Sequence, residues 1–182
     1  MTYVRWGKTR CPNVTGTEKV YDGYTAGTHY SHSGGGANVI CLPKIPQYHA
    51  EATAVNLDLS DIHGAEYQAW GGQYLSKVHD HNPPCAVCEV STRSKHLMIP
   101  ALYDCPDGWT EEYDGWLVAE RTHEGHKGRI TYTCLDKNPD IIPGLYANTQ
   151  GVLFHHVEAT CNGLPCQAYD NRKELSCVVC TK

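Results

Sequence analysis

Short runs of alternating hydrophobic and polar residues recur along this chain, and this alternation is typical of half-buried β-strands. Clusters of Gly, Asn, Pro and Ser separate the runs and favour turns. Helical periodicity is nearly absent. Strands are predicted at 3–6, 18–21, 38–42, 97–103, 115–119, 130–134 and 152–158. The pattern therefore predicts an all-β protein, rich in β-strands and with long loops.

The same landmarks occur twice along the chain, with an offset of roughly 93 residues. The sequence Cys85-Ala-Val-Cys88 returns as Cys177-Val-Val-Cys180, and a Tyr-Asp-Gly triplet at 21–23 returns at 113–115. Gly64-Ala65-Glu66-Tyr67 is also matched to Gly144-Leu145-Tyr146, although these lie 23 residues after Cys41 and 10 residues after Cys134, which places insertions differently in the two halves. We therefore expect two similar disulfide-bridged lobes from an internal duplication, residues 1–91 and 97–182, joined by a linker at 92–96.

Ten cysteines are present, and each lobe is small for a fold held by burial alone. Disulfides stabilise such a lobe by about 2–4 kcal/mol each and indicate an oxidising, extracellular compartment. The repeated arrangement favours two crossed bridges in each lobe and one local bridge near the end. These join Cys11 and Cys41 to the Cys85/Cys88 pair, Cys105 and Cys134 to the Cys177/Cys180 pair, and Cys161 to Cys166. A Cys₄ zinc site built from the two CxxC pairs is the alternative.

Charge and hydropathy exclude several partners. The formal net charge is −5 and no basic block occurs, so neither nucleic acid nor an anionic membrane is indicated. No apolar run approaches the roughly 20 residues needed to cross a bilayer, so membrane insertion is not expected. Met1 is interpreted as a start residue that replaces a removed leader. Asn13-Val14-Thr15 is a glycosylation acceptor if the protein is secreted.

The connection at 44–84 is long, irregular and acidic, and such connections are often functional. Its carboxylates and amides are hard oxygen ligands of the kind that calcium prefers. The spacing of an EF-hand is absent, so a calcium site would combine separate loops; solvated turn residues are the alternative. A second loop carries His123, Glu124 and His126, which could bind Zn or Cu if they face inward.

A set of short motifs spread along the chain carries a resemblance to a known family. The motifs that carry it are Tyr3-Val-Arg-Trp-Gly-Lys-Thr9, Cys11-Pro12, Gly34-Gly-Gly-Ala-Asn38, Cys41-Leu-Pro43, Gly64-Ala-Glu-Tyr67, Pro84-Cys-Ala-Val-Cys88 and Leu97-Met-Ile-Pro-Ala101. Together they resemble a secreted invertebrate family that includes the non-collagenous part of sponge short-chain collagens and a sea-anemone galactose-specific lectin. This resemblance implies a β-rich homodimer that holds terminal galactose through a calcium ion.

The residues themselves suggest where such a site lies. Glu66 and Asp80 are the first choices as calcium ligands, followed by Asp58 and Asp61. Asn82 could coordinate the ion or bond a sugar hydroxyl. An aromatic or imidazole face beneath the sugar ring could come from Tyr67, Trp70 or His81. In the second lobe, Leu145 is matched to Glu66 and Arg172 to Asp80, which predicts one cation site per chain.

Two other functions remain open at this point. The collagen-linked relatives suggest a structural matrix module that self-associates. A metal-dependent secreted enzyme would use the eleven histidines, but neither HExxH nor GxSxG occurs, and bridged cysteines cannot act as nucleophiles. The main prediction, which follows from the family resemblance, is a calcium-dependent, galactose-specific lectin without catalytic activity.

Overall fold

The computed structural model describes residues 1–50, 59–69, 74–146, 148–160 and 162–182. Apart from a short 3-10 helix at Tyr74–Val78, its regular elements are strands, and the predicted all-β class is confirmed. The strands are β1 Thr2–Trp6, β2 Thr17–Gly27, β3 Ile40–Pro43, β4 His63–Tyr67, β5 Pro84–Val90, β6 His96–Pro100, β7 Thr110–Ala119, β8 Thr133–Asp136, β9 Val152–His156 and β10 Ser176–Thr181.

The two halves of the chain have the same strand arrangement. In the first half, β5 pairs with both β1 and β2, and β3 and β4 also pair with β2. In the second half, β10 pairs with β6 and β7, and β8 and β9 pair with β7. Parallel contacts of β1 with β8 and of β4 with β9 join the halves into one sheet of ten strands.

Strand register shows which residues are equivalent. Gly27 lies opposite His63 in the first repeat, and Ala119 lies opposite His155 in the second. Both members of the second pair lie 92 positions after their counterparts, which is also the offset from Cys85 to Cys177. The same offset makes Glu158 the counterpart of Glu66.

The predicted match between Gly64–Tyr67 and Gly144–Tyr146 is therefore wrong. Leu145 lies in the loop before β9 and has no place in the repeated strand pairing. Its neighbour Tyr146 forms an isolated bridge with His81. The two short stretches are similar in sequence only. Structural equivalence follows from strand pairing, in which β4 contacts β2 and β9 contacts β7.

The four described disulfides confirm the predicted partners and are alike in both repeats. They are Cys11–Cys88, Cys41–Cys85, Cys105–Cys180 and Cys134–Cys177. The bridges are nested rather than crossed, because the cysteines of β3 and β8 bond the first cysteine of each CxxC pair. Bridged CxxC pairs also exclude the Cys₄ zinc site. Cys161, predicted to pair with Cys166, lies outside the described residues.

Both hydrophobic cores contain residues from both repeats. In one, Tyr3 and Val90 pack with Tyr113 and Val179. In the other, the buried members are Val39, Ala65, Tyr67, Ala69, Leu75, Val118, Leu135, Val152 and Phe154. The repeats therefore pack on each other along their length, and the apolar surface that each contributes is covered by the other.

A buried carboxylate also links the repeats. Glu112 accepts hydrogen bonds from Tyr3 (2.8 Å), Thr17 (3.0 Å), Thr181 (2.8 Å) and Arg93 (2.7 Å). Its side chain is fully buried. Burial alone would raise the pKa of Glu112, but the hydrogen bonds from Thr181, Arg93, Tyr3 and Thr17 hold it below its usual range. The predicted linker thus includes Arg93, which contacts strands of both repeats.

Gly23 and Gly115 occupy equivalent places and are expected to be intolerant of any side chain. A Cβ at Gly23 would lie 1.7 Å from Leu42 O, and one at Gly115 would lie 1.7 Å from Leu135 O. We predict that Gly23→Ala and Gly115→Ala each lower the free energy of unfolding by about 1–3 kcal/mol or more. Urea denaturation with the disulfides intact measures this. Gly34→Ala is the matched control, since a Cβ added there meets no atom of the described residues within 4 Å. Equal losses at all three positions would contradict the steric explanation.

Candidate functional site

The face of β4 and β9 that points away from the second core carries the candidate site. Successive side chains on a strand point to opposite faces. Ala65 and Tyr67 on β4, and Val152 and Phe154 on β9, are core residues. Glu66 and Gln68 therefore share the other face with Leu153 and His155, and Glu66 is the register partner of Leu153.

Two carboxylates meet on this face around one amide. The side-chain amide nitrogen of Gln68 donates to Glu66 Oε1 and, at 3.0 Å, to Asp80 Oδ1. The second oxygen of Glu66 accepts the backbone N–H of Gln150 at 3.2 Å. His79 Nε2 lies 3.3 Å from Asp80 Oδ1. Glu66 is only 1% exposed, so its negative charge is held away from bulk water.

A tight backbone turn brings Asp80 to this place. Asp80 has φ +60°, and its N–H donates to Tyr67 O, while the N–H of Tyr67 donates to His81 O. Asp tolerates the left-handed region better than most residues with a Cβ. The loop is therefore attached by two main-chain hydrogen bonds directly beside Glu66.

The second repeat has the same turn with a different charge. Arg172 has φ +64°, its N–H donates to Ala159 O, and the N–H of Ala159 donates to Lys173 O. Its guanidinium forms an ion pair with Glu158 at 2.9 Å, in which the two side chains are 74% and 41% exposed. At the equivalent positions, one repeat thus has opposite charges that pair directly, and the other has two negative charges joined by Gln68.

The remaining predicted residues have structural roles or lie elsewhere. Tyr67 is completely buried and donates its hydroxyl proton to Asp140 O at 2.8 Å, so its ring offers no face to a sugar; that prediction is corrected by its position on the core side of β4. Asn82 donates to Ala65 O at 2.7 Å. His81 packs against Tyr146 with ring centres 4.6 Å apart.

The other two carboxylates predicted as ligands are not part of this cluster as described. Asp61 is exposed, two residues before β4, and does not enter the hydrogen-bond network among the described residues. Asp58 lies outside the described residues, as does Trp70. Of the predicted ligands, Glu66 and Asp80 alone among the described residues are brought together.

A second polar cluster involves the same face of β9. One ligand atom each from Glu120, His126 and His155 lie within 4.8 Å of one another. His126 Nδ1 is 2.9 Å from Glu120 Oε1, and His155 Nε2 is 3.9 Å from the same oxygen. Backbone N–H groups of Arg121 and Leu153 fix the two oxygens of Glu120 at 3.1 Å each. The carboxylate is thereby oriented toward both imidazoles.

The electrostatics of this cluster keep one imidazole neutral. Burial lowers the pKa of His155 to about 4, and the neighbouring His126 and Arg121 act in the same direction. His155 Nε2 is buried and has no hydrogen-bond partner among the described residues. Of the predicted metal loop of His123, Glu124 and His126, His126 belongs to the cluster, whereas His123 and Glu124 are exposed.

Comparison with models of known protein families finds no match for this chain. Among the described residues, no helix has the length and apolar character to span a membrane. The geometry of these two clusters therefore supplies the main evidence about function.

Proposed function

We propose that the protein is an extracellular lectin that holds a sugar, terminal galactose, through a calcium ion bound between Glu66 and Asp80. The observation that carries the proposal is the contrast between equivalent positions in the repeats. Glu158 and Arg172 neutralise each other, whereas Glu66 and Asp80 add two negative charges at one point. Like charges in a poorly solvated place are costly unless a cation or proton accompanies them.

The donor set fits calcium in type. Two carboxylates and the amide of Gln68 are oxygen ligands of the kind that Ca²⁺ takes, and sugar hydroxyls and water can complete a shell of six to eight oxygens. Gln68 would turn its amide oxygen toward the ion, because in the present arrangement its N–H₂ group faces both carboxylates. A pair of neighbouring sugar hydroxyls would then take the places of two water ligands of the ion.

The protein's own groups would set the geometry of binding. The paired backbone hydrogen bonds at Tyr67 fix Asp80, and the N–H of Gln150 fixes Glu66. Such pre-ordering lowers the entropy lost when ion and sugar bind. His79 lies beside Asp80, with its Nε2 3.3 Å from Asp80 Oδ1, so its imidazole is the nearest ring to the proposed ion position on that side.

Retention on galactose-agarose tests the proposal directly. We expect the intact, oxidised chain to be retained in calcium and released when a chelator is added. Light scattering on the same sample tests the homodimer that the family resemblance implies. Retention that persists in chelator would contradict the role of the ion, and large assemblies without any sugar binding would favour the matrix module.

A further inference from the structure

We propose that Glu120, His126 and His155 form a second metal site that binds a transition-metal ion, with Zn²⁺ as the expected occupant. This inference does not depend on the proposed lectin function. It concerns different ligands and a different class of metal, because imidazole nitrogens suit Zn²⁺ whereas Ca²⁺ takes oxygen.

The distances agree with ligands around one ion. Zinc lies about 2.0–2.2 Å from nitrogen and carboxylate oxygen, so two ligands of a tetrahedral site are about 3.4 Å apart. The separations from Glu120 Oε1 to His126 Nδ1 and to His155 Nε2 are 2.9 and 3.9 Å, on either side of that value. All three ligand atoms also lie within 4.8 Å of one another, so the groups are close enough to approach one ion.

Burial and second contacts support a built site rather than a chance cluster. The side chain of Glu120 is 4% exposed, and those of His126 and His155 are 15% and 16% exposed. Two backbone N–H groups fix Glu120, which is the kind of outer support that metal-ligating carboxylates have. Nε2 of His155 is a buried polar atom with no hydrogen-bond partner in the described part of the chain, and an ion would satisfy it.

The first repeat shows what the site requires. His63 is the counterpart of His155, and it lies near two other imidazoles, with ring centres 5.0 Å from His29 and 5.7 Å from His32. Thr28 stands where Glu120 does, and its hydroxyl donates to Gly36 O. The position equivalent to Glu120 therefore has no carboxylate in the first repeat, and we assign the site to the second repeat.

An ion could reach the cluster from one side. His126 lines an open cavity of about 620 Å³ together with Lys127, Arg129 and the Gly34–Gly36 loop. Three protein ligands leave the fourth position of a tetrahedral zinc ion for water or another small ligand. The cavity gives room for that ligand beside His126.

Zinc titration of the metal-stripped, oxidised chain tests the inference. We expect one Zn²⁺ per chain, a higher melting temperature with zinc, and visible absorption of a four-coordinate ion when Co²⁺ is used instead. His126→Ala and His155→Ala should each weaken zinc binding by about 100-fold or more, since loss of even an outer partner costs about 10–100-fold. His63→Ala is the matched control and should leave binding unchanged.

Loss of zinc binding can be distinguished from loss of folding and from zinc binding at another place. Near-ultraviolet circular dichroism without metal identifies a variant that fails to fold, and Glu120→Gln then serves as the second test of the same site. Absence of zinc binding by the unchanged chain would overturn the inference. So would binding that survives His155→Ala but is lost in His123→Ala, because the exposed loop would then hold the ion.

Discussion

Asp80→Asn should abolish calcium-dependent retention on galactose while leaving the protein folded. Asn keeps the size of the side chain and tolerates the positive φ of Asp80, so the turn is preserved. The change removes one of two negative charges and one anionic ligand. Loss of a close charge partner typically costs about 2–5 kcal/mol, which corresponds to calcium binding weaker by roughly 30-fold to several thousand-fold. Calcium titration and galactose-agarose retention both measure this.

Glu158→Gln is the matched control, because it changes the equivalent carboxylate in the second repeat. Glu158 already has a cationic partner in Arg172, at an exposed place. We expect calcium binding and sugar retention to be unaffected by this change. Equal loss of retention in Asp80→Asn and Glu158→Gln would contradict the assignment of the ion to the first repeat.

Arg93→Ala should lower the free energy of unfolding by about 3–5 kcal/mol. Its guanidinium pairs with Glu112 at 2.7 Å, and the side chains are 14% and 0% exposed. Breaking a buried ion pair leaves an uncompensated charge, which is far more costly than losing an exposed pair. Hydroxyls of Tyr3, Thr17 and Thr181 would still bond Glu112 but supply no charge. Urea denaturation with the disulfides intact gives the value.

Arg172→Ala is the control for that change, since its ion pair is largely exposed and should contribute at most about 1 kcal/mol. Arg93→Lys should fall between the two, because lysine keeps the charge but not the planar set of donors. A loss in Arg93→Ala as small as that in Arg172→Ala would show that the buried network does not hold the repeats together.

The disulfide frame could be predicted because its signal is local and repeated. Cys85 and Cys88 return at Cys177 and Cys180, and alternation predicts strands at 3–6, 18–21, 97–103 and 115–119, where the partners of the two CxxC strands lie. Bridges at equivalent positions then follow from the duplication. Their nesting did not follow, because it depends on where β3 and β8 lie against their neighbours, which no spacing in the sequence specifies.

The acidic pair could be predicted in part. Glu66 and Asp80 converge because a backbone turn joins them, but the equivalent residue in the second repeat was misassigned to Leu145. The spacing from the CxxC pair that matches Arg172 to Asp80 also matches Glu158 to Glu66. Alternation along β4 would also have indicated that Tyr67 and Glu66 point to opposite faces, so that both cannot line one site.

The Glu120, His126 and His155 cluster could not be read from spacing. Glu120 and His155 are distant in sequence and meet only because Ala119 on β7 lies opposite His155 on β9. Metal-ligating side chains at the ends of two strands do not predict a shared site unless the pairing of those strands is known. The structure supplies that pairing, and Gly27 and His63 pair in the same way in the first repeat.

Counting calcium ions per chain is the decisive measurement. We expect the first repeat to keep a cation between Glu66 and Asp80, where the second repeat has the ion pair of Glu158 and Arg172. Equilibrium dialysis of the metal-stripped chain against calcium should give one ion per chain, and none for Asp80→Asn at the same concentration. Failure of the unchanged chain to bind calcium, or one ion that persists in Asp80→Asn, would contradict it.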